Sequence, residues 1–153
     1  MSIKEKLASI GLSLPVASAP VAAYVPAVKS GNLVFTAGQL PVVGGKLVRE
    51  GKVGSDVSAE DAKELAQICA LNALAAISFV AELDQIERVV RVGGFVNCAP
   101  GFTAIPSVVN GASELLIKIF GDVNGKHART AVGVAELPLN APVEIEMVVQ
   151  LKN

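Results

Sequence analysis

The sequence predicts an α+β fold, a mixed β-sheet with two helices packed on one face. Three observations lead there. Val-rich segments with strand-like alternation recur along the chain, clearest where Val143, Ile145, Met147 and Val149 alternate with Glu144, Glu146, Val148 and Gln150. Two longer segments with helical periodicity separate them. The resulting order, β-β-α-β-α-β-β, begins and ends on paired strands, so it does not suit a purely parallel sheet.

The elements follow in chain order. Residues 2–10 form a short amphipathic helix, with Ile3, Leu7 and Ile10 on one face and Gly11 as its stop. Residues 14–20 are small and Pro-rich, an irregular approach rather than a domain linker, so residues 1–20 read as an N-terminal extension of one domain spanning 1–153. Residues 25–29 and 33–37 are strands around a Ser30-Gly31-Asn32 turn. Residues 41–54 hold four glycines and form a loop or a ragged hairpin. Ser58 caps a helix that begins with Glu60 and Asp61 at the positive end of its dipole and runs to about residue 83. Its Ala- and Leu-rich stretch is interrupted by Asn72 and Ser78 and falls short of the ~18 apolar residues of a membrane span. Residues 86–96 make a strand with Gly93-Gly94 as a bulge or close approach, and 107–120 a second amphipathic helix. Residues 121–127 read as a polar loop, and 130–136 and 143–151 as the last strands.

Composition narrows the function. The chain has 153 residues, 52% hydrophobic and 18% charged, with only 4% aromatic. A typical chain is about 45–50% apolar and 25% charged, so surface-forming residues are scarce here and a second copy of the chain is expected to cover some apolar surface. Thirteen basic against fourteen acidic residues give a net charge of -1. That leaves no electrostatic footprint for nucleic acid or anionic lipid. His127 is the single histidine, too few for a His-rich metal site, and any Ser-His-Asp triad would have to use it. Cys69 and Cys98 show no C-x-x-C spacing and read as free thiols. Lys4, Glu5 and Lys6 interrupt the start before an apolar signal segment develops, so the expected location is cytoplasmic.

Few residues offer chemistry. The glycine clusters match no phosphate-binding pattern. Cys98 has no neighbouring base and reads as a small thiol at a strand end. Arg129 stands between a polar loop and an apolar strand, where it could grip a carboxylate or form an ordinary surface ion pair. Glu144 and Glu146 share one face of the last strand, either solvated at an edge or held in a site where their titration matters.

Two segments carry a resemblance. Ser30-Gly31-Asn32-Leu33-Val34-Phe35-Thr36-Ala37-Gly38-Gln39-Leu40-Pro41 resembles the N-terminal signature of the RidA/YjgF family, reactive intermediate deaminases also labelled L-PSP endoribonucleases. His127-Ala128-Arg129-Thr130-Ala131-Val132-Gly133-Val134-Ala135-Glu136-Leu137-Pro138, followed by Pro142-Val143-Glu144-Ile145-Glu146, resembles its C-terminal signature. The resemblance implies a chorismate-mutase-like fold and a homotrimer with three clefts between subunits. It also implies hydrolysis of enamines and imines of small amino acids to 2-oxo acids and ammonia, with no cofactor and no metal. By position, Arg129 matches the arginine that binds the substrate carboxylate, and Glu144 the acid associated with the hydrolytic water. Asn110 matches a cleft asparagine, Tyr24 an N-terminal tyrosine, and Gly38 a glycine whose backbone faces the ligand. Ala37 stands where the best-known deaminases have serine, and Ala131 where they have cysteine. Two other readings stay open: a non-catalytic carboxylate-binding trimer, and the ribonuclease or translation inhibitor of the older label. Neutral charge and scarce aromatics disfavour RNA.

If 130–136 and 143–151 pair as a hairpin, Glu144 lies opposite about Glu136, and Arg129 sits roughly 20 Å away at ~3.3 Å per residue. The two would then meet at one ligand only if different subunits supply them. The apolar strand faces turned away from the helices would line the trimer axis.

Overall fold

The computed structural model describes residues 1–17 and 22–153. Residues 18–20 of the Pro-rich approach fall outside the described residues. Helix α1 (Ile3–Ser9) opens on a capping box between Ser2 and Glu5 and buries Ile3 and Leu7. Strands β1 (Ala27–Ser30) and β2 (Leu33–Thr36) form the expected hairpin, turning at Gly31 with φ 61°. The glycine-rich stretch contains the small hairpin β3 (Val42–Val43) and β4 (Lys46–Leu47). Helix α2 (Ala59–Ile77), strand β5 (Ile86–Asn97), helix α3 (Ile105–Gly125), strand β6 (Ala128–Val134) and strand β7 (Val143–Leu151) complete the chain.

The five-stranded sheet has the order β1-β2-β7-β5-β6. Only β5 and β6 pair in parallel, so the sheet is mixed. Its inner face presents Val34, Val89, Val92, Val96, Val143, Ile145, Met147 and Val149 to α2 and α3, all essentially without solvent exposure. No helix among the described residues is long and apolar enough to cross a membrane. Val28, Phe35 and Val132 on the outer face are 52%, 43% and 38% exposed, while other exposed apolar side chains, such as Val16, Val123 and Leu139, lie outside the sheet.

The structure corrects several expectations. β6 and β7 are not a hairpin: β5 lies between them, and Glu144 faces Phe95 rather than Glu136. The connection over residues 135–142, which turns at Leu139 and Asn140 with φ 58° and 56°, is long enough to carry the chain across β5. Asn97, the buried polar side chain of β5, anchors this crossing by donating to the Asn140 side chain at 3.0 Å while accepting from Lys52.

Helix α2 ends at Ile77, six residues early, because the Ser78 hydroxyl donates to the Ala75 carbonyl at 2.6 Å and competes for the last turn. Helix α3 begins two residues before Ser107, with Pro106 in its first turn. It also absorbs most of the expected 121–127 loop as one extra turn beyond a break at Gly121, whose φ is 81°. Strand β6 starts and ends two residues earlier than expected. The irregularities of β5 fall between Ile86 and Arg91, not at Gly93-Gly94. Those glycines are instead close approaches: a Cβ at Gly93 would meet Glu146, and one at Gly94 would meet Val109.

Gly111 sets the separation of α2 and α3, since a Cβ there would land on the Lys63 carbonyl. In a free helix Gly→Ala gains about 1 kcal/mol. Here overpacking of about 1–3 kcal/mol outweighs that gain, so Gly111→Ala is expected to lower the denaturant midpoint rather than raise it.

Candidate functional site

The sequence-predicted residues fall into two groups on opposite sides of the sheet. On the inner side, at the edge strand β6, the Arg129 Nη1 donates to Asn110 Oδ1 at 2.8 Å and to Ser113 Oγ at 3.2 Å. Nη2 reaches the Pro106 carbonyl at 3.5 Å. Pro106, Asn110 and Ser113 are spaced by four and then three residues, so α3 presents them as one stripe. Ala131 is two residues along the same face of β6, opposite Gly94.

Arg129 takes part in none of the four ion pairs among the described residues. All its partners are neutral oxygens. Of the five N–H donors of a guanidinium, three are engaged, which leaves Nε–H and one Nη2–H unassigned. The ordinary surface ion pair is thus the alternative that the geometry disfavours. A fixed cation with two adjacent donors and no carboxylate partner suits an incoming carboxylate.

On the outer side, the Glu144 carboxylate occupies the space a side chain at Gly38 would need. Gly38 lies in the extension of β2, where Gln39 exchanges backbone hydrogen bonds with Ile145. Burial, and then the neighbouring Glu146, push the Glu144 carboxyl above the usual carboxylate value. Ala37 is half-buried next to it, its N–H held by the Pro26 carbonyl at 2.8 Å. On the α2 side of the sheet, Tyr24, 58% exposed, and Gly38 line an open groove of about 820 Å³ between residues 14–17, the β3–β4 hairpin and α2.

Arg129 and Glu144 are therefore apart in one chain, though not for the reason a hairpin would give. Arg129 aligns through Val92 with Met147, three residues from Glu144 on β7. An odd offset puts the two side chains on opposite faces, and strand spacings place their backbones about 14 Å apart.

Sequence reasoning missed Ser113 and His127 as neighbours of Arg129. His127 Nε2 is 2.9 Å from Ser113 Oγ, and Nδ1 is 2.6 Å from the Gly125 carbonyl. Burial foremost, aided by the Arg129 charge and opposed by the Gly125 bond, holds the imidazole below its ordinary value. The available signal was the Asn110/Ser113 spacing on an amphipathic helix, which says that the two share a face but not what that face meets. The cysteines stay outside both groups. Cys69 is buried against the Val143 carbonyl, and Cys98 packs under Gly133, with burial raising both thiols.

Comparison with known proteins gives concordant results. A family model described as "YjgF/chorismate_mutase-like, putative endoribonuclease" matches residues 4–151. Protein TCP17 of Trypanosoma cruzi is 40% identical over 154 residues, covering 99% of this chain and 95% of that protein. The 2-iminobutanoate/2-iminopropanoate deaminase of Dermatophagoides farinae is 32% identical, covering 92% of this chain and 95% of that protein. The crystal structure of Atu1372 from Agrobacterium tumefaciens, a protein described as of unknown function, superposes with a TM-score of 0.89 at 42% identity, covering 98% of this chain and 93% of that one.

Proposed function

The chain belongs to the YjgF/chorismate-mutase-like family, which includes imine deaminases, and we propose that it is itself a hydrolytic deaminase of small 2-imino acids. The observation that carries this reading is Arg129, a guanidinium fixed by neutral oxygens with no carboxylate of its own. The substrate carboxylate completes its coordination. Water then adds to the C=N carbon of the protonated imine, and the resulting carbinolamine, protonated on nitrogen, expels ammonia as its hydroxyl becomes the 2-oxo group, the hydroxyl proton leaving with the nitrogen as ammonium. Glu144, with its raised proton affinity, accepts a proton from the attacking water and returns it to the departing nitrogen. Gly38 leaves room for the Glu144 carboxylate, Tyr24 lines the adjoining groove, and Asn110 holds Arg129 in place. The reaction asks for no cofactor.

Because Arg129 and Glu144 lie on opposite faces, each cleft in this proposal takes them from two protomers of a homotrimer. The exposed Val28, Phe35 and Val132 of the outer sheet face supply the contact surface. The test is ammonia release from imines generated in situ by an amino-acid oxidase or a threonine dehydratase. Faster release with the protein than with buffer is expected, and identical rates would overturn the reading. A second reading, a carboxylate-binding assembly without turnover, is favoured by Ala37 and Ala131, which bring neither hydroxyl nor thiol to the cleft. It predicts thermal stabilisation by 2-oxo acids with no acceleration of ammonia release.

A further inference from the structure

Next to Arg129 runs a chain of hydrogen bonds that carboxylate binding alone does not require. The Gly125 carbonyl can only accept, so the His127 Nδ1 beside it carries a proton. The neutral imidazole is therefore an acceptor at Nε2, and the Ser113 hydroxyl donates to it. With its proton committed, Ser113 Oγ offers its lone pairs to Arg129 Nη1. Every bond points the same way, from guanidinium to hydroxyl to imidazole to backbone carbonyl, the arrangement in which successive bonds polarise one another.

The far end of this chain is rigid. A Cβ at Gly125 would collide with the Leu116 carbonyl and the Ile117 backbone, so the carbonyl that His127 addresses is pinned against the body of α3. The break at Gly121, in a left-handed φ, is what folds the last helical turn back to that position. Three features of the sequence thus converge on one side chain: Gly121, Gly125 and the lone histidine.

We infer that Ser113 and His127 are positioning residues that hold Arg129 in its ligand-ready orientation, and that the imidazole senses the charge Arg129 carries or has neutralised. The inference rests on the reading of Arg129 as the carboxylate-binding group. The charged groups around His127 are Arg129 on β6, Lys126 just before it, and Arg88 on β5, which lines the same shallow depression. Glu114, the acid next to Ser113 on α3, is paired with Lys63. Lys126 is in turn paired with Asp122 of α3 at 3.6 Å, so Arg129 is the cation near the ring that no carboxylate offsets, and a carboxylate bound to Arg129 would relieve the imidazolium of that like charge.

The chain has one histidine, so its Hε1 resonance reports this site without assignment ambiguity. In ligand-free protein, Ser113→Ala removes the donor that stabilises the neutral ring and Arg129→Gln removes the repelling cation. Each is expected to raise the NMR-titrated pKa of His127. Saturating 2-oxobutanoate is expected to raise it in the wild type and leave it unmoved in Arg129→Gln. In turnover, Ser113→Ala is expected to raise KM about three- to tenfold, the cost of re-ordering one long side chain, with kcat within about twofold. Ser113→Thr, which restores the hydroxyl, recovers KM. A His127 pKa indifferent to both substitutions in the ligand-free protein overturns the relay. Coupling in the ligand-free protein without any response to 2-oxobutanoate instead overturns the assignment of Arg129 to carboxylates and leaves the relay standing.

Discussion

Arg129→Ala is expected to lower kcat/KM for 2-imino acids by about two to four orders of magnitude, since each hydrogen bond to a charged group contributes about 1.5–3 kcal/mol and the fork supplies two. The loss should appear mainly in KM, because the carboxylate is as charged in the ground state as in the transition state. Arg129→Lys is expected to recover little. An ammonium keeps the charge but cannot hold Asn110 and Ser113 with one nitrogen while offering two parallel donors to the ligand. The fold should tolerate the change, because Arg129 is on an edge strand and its partners are a half-buried amide and a hydroxyl that water can satisfy. Steady-state ammonia release, with circular dichroism as a check on folding, measures both outcomes. Equal activity in Arg129→Ala would remove the carboxylate grip from the mechanism.

How much of this was legible from residues alone depends on how local each determinant is. The capped start of α2, the Gly31 turn and the alternation of β7 are written within a few consecutive residues, and the structure places all three as expected. Strand order is different. Nothing between Glu136 and Val143 states that the connection crosses a neighbouring strand, and a Pro-containing link reads as well as a hairpin. The crossing depends on Asn97 and Lys52, residues some forty or more positions upstream. The early end of α2 was hidden for a similar reason: Ser78 is compatible with a helix interior until its hydroxyl takes a carbonyl of the last turn.

At the site, Arg129 was visible as a cation at the mouth of an apolar strand, and Glu144 as an acid within one. Their placement on opposite faces required the register through β5. Ser113 was invisible because a serine on an amphipathic helix carries no signal of its own. Its role comes from the Gly121 break, which brings His127 to it, and that break reads in sequence as the end of a helix.

Glu144→Gln is expected to reduce kcat by about two orders of magnitude, the usual contribution of a positioned general base, while KM for the carboxylate changes little. The same substitution should make the protein more stable at neutral pH. Burial and the neighbouring Glu146 raise the folded-state carboxyl above its unfolded value, so the folded protein holds a proton that the unfolded chain has released. Stability therefore falls as pH rises from the unfolded value through the folded one, and the cost of ionising Glu144 is fully present above that window. Glutamine does not ionise, so the melting temperature of Glu144→Gln should exceed that of the wild type at pH 7 and converge with it below about pH 4. Loss of activity with gain of stability separates a residue retained for chemistry from one retained for folding. The two inactive variants also test each other. If every cleft takes Arg129 from one protomer and Glu144 from the next, an equal mixture of Arg129→Ala and Glu144→Gln, unfolded and reassembled together, should regain roughly a quarter of the wild-type sites by random assortment. No recovery in reassembled trimers would mean that the two residues do not meet across the subunit boundary.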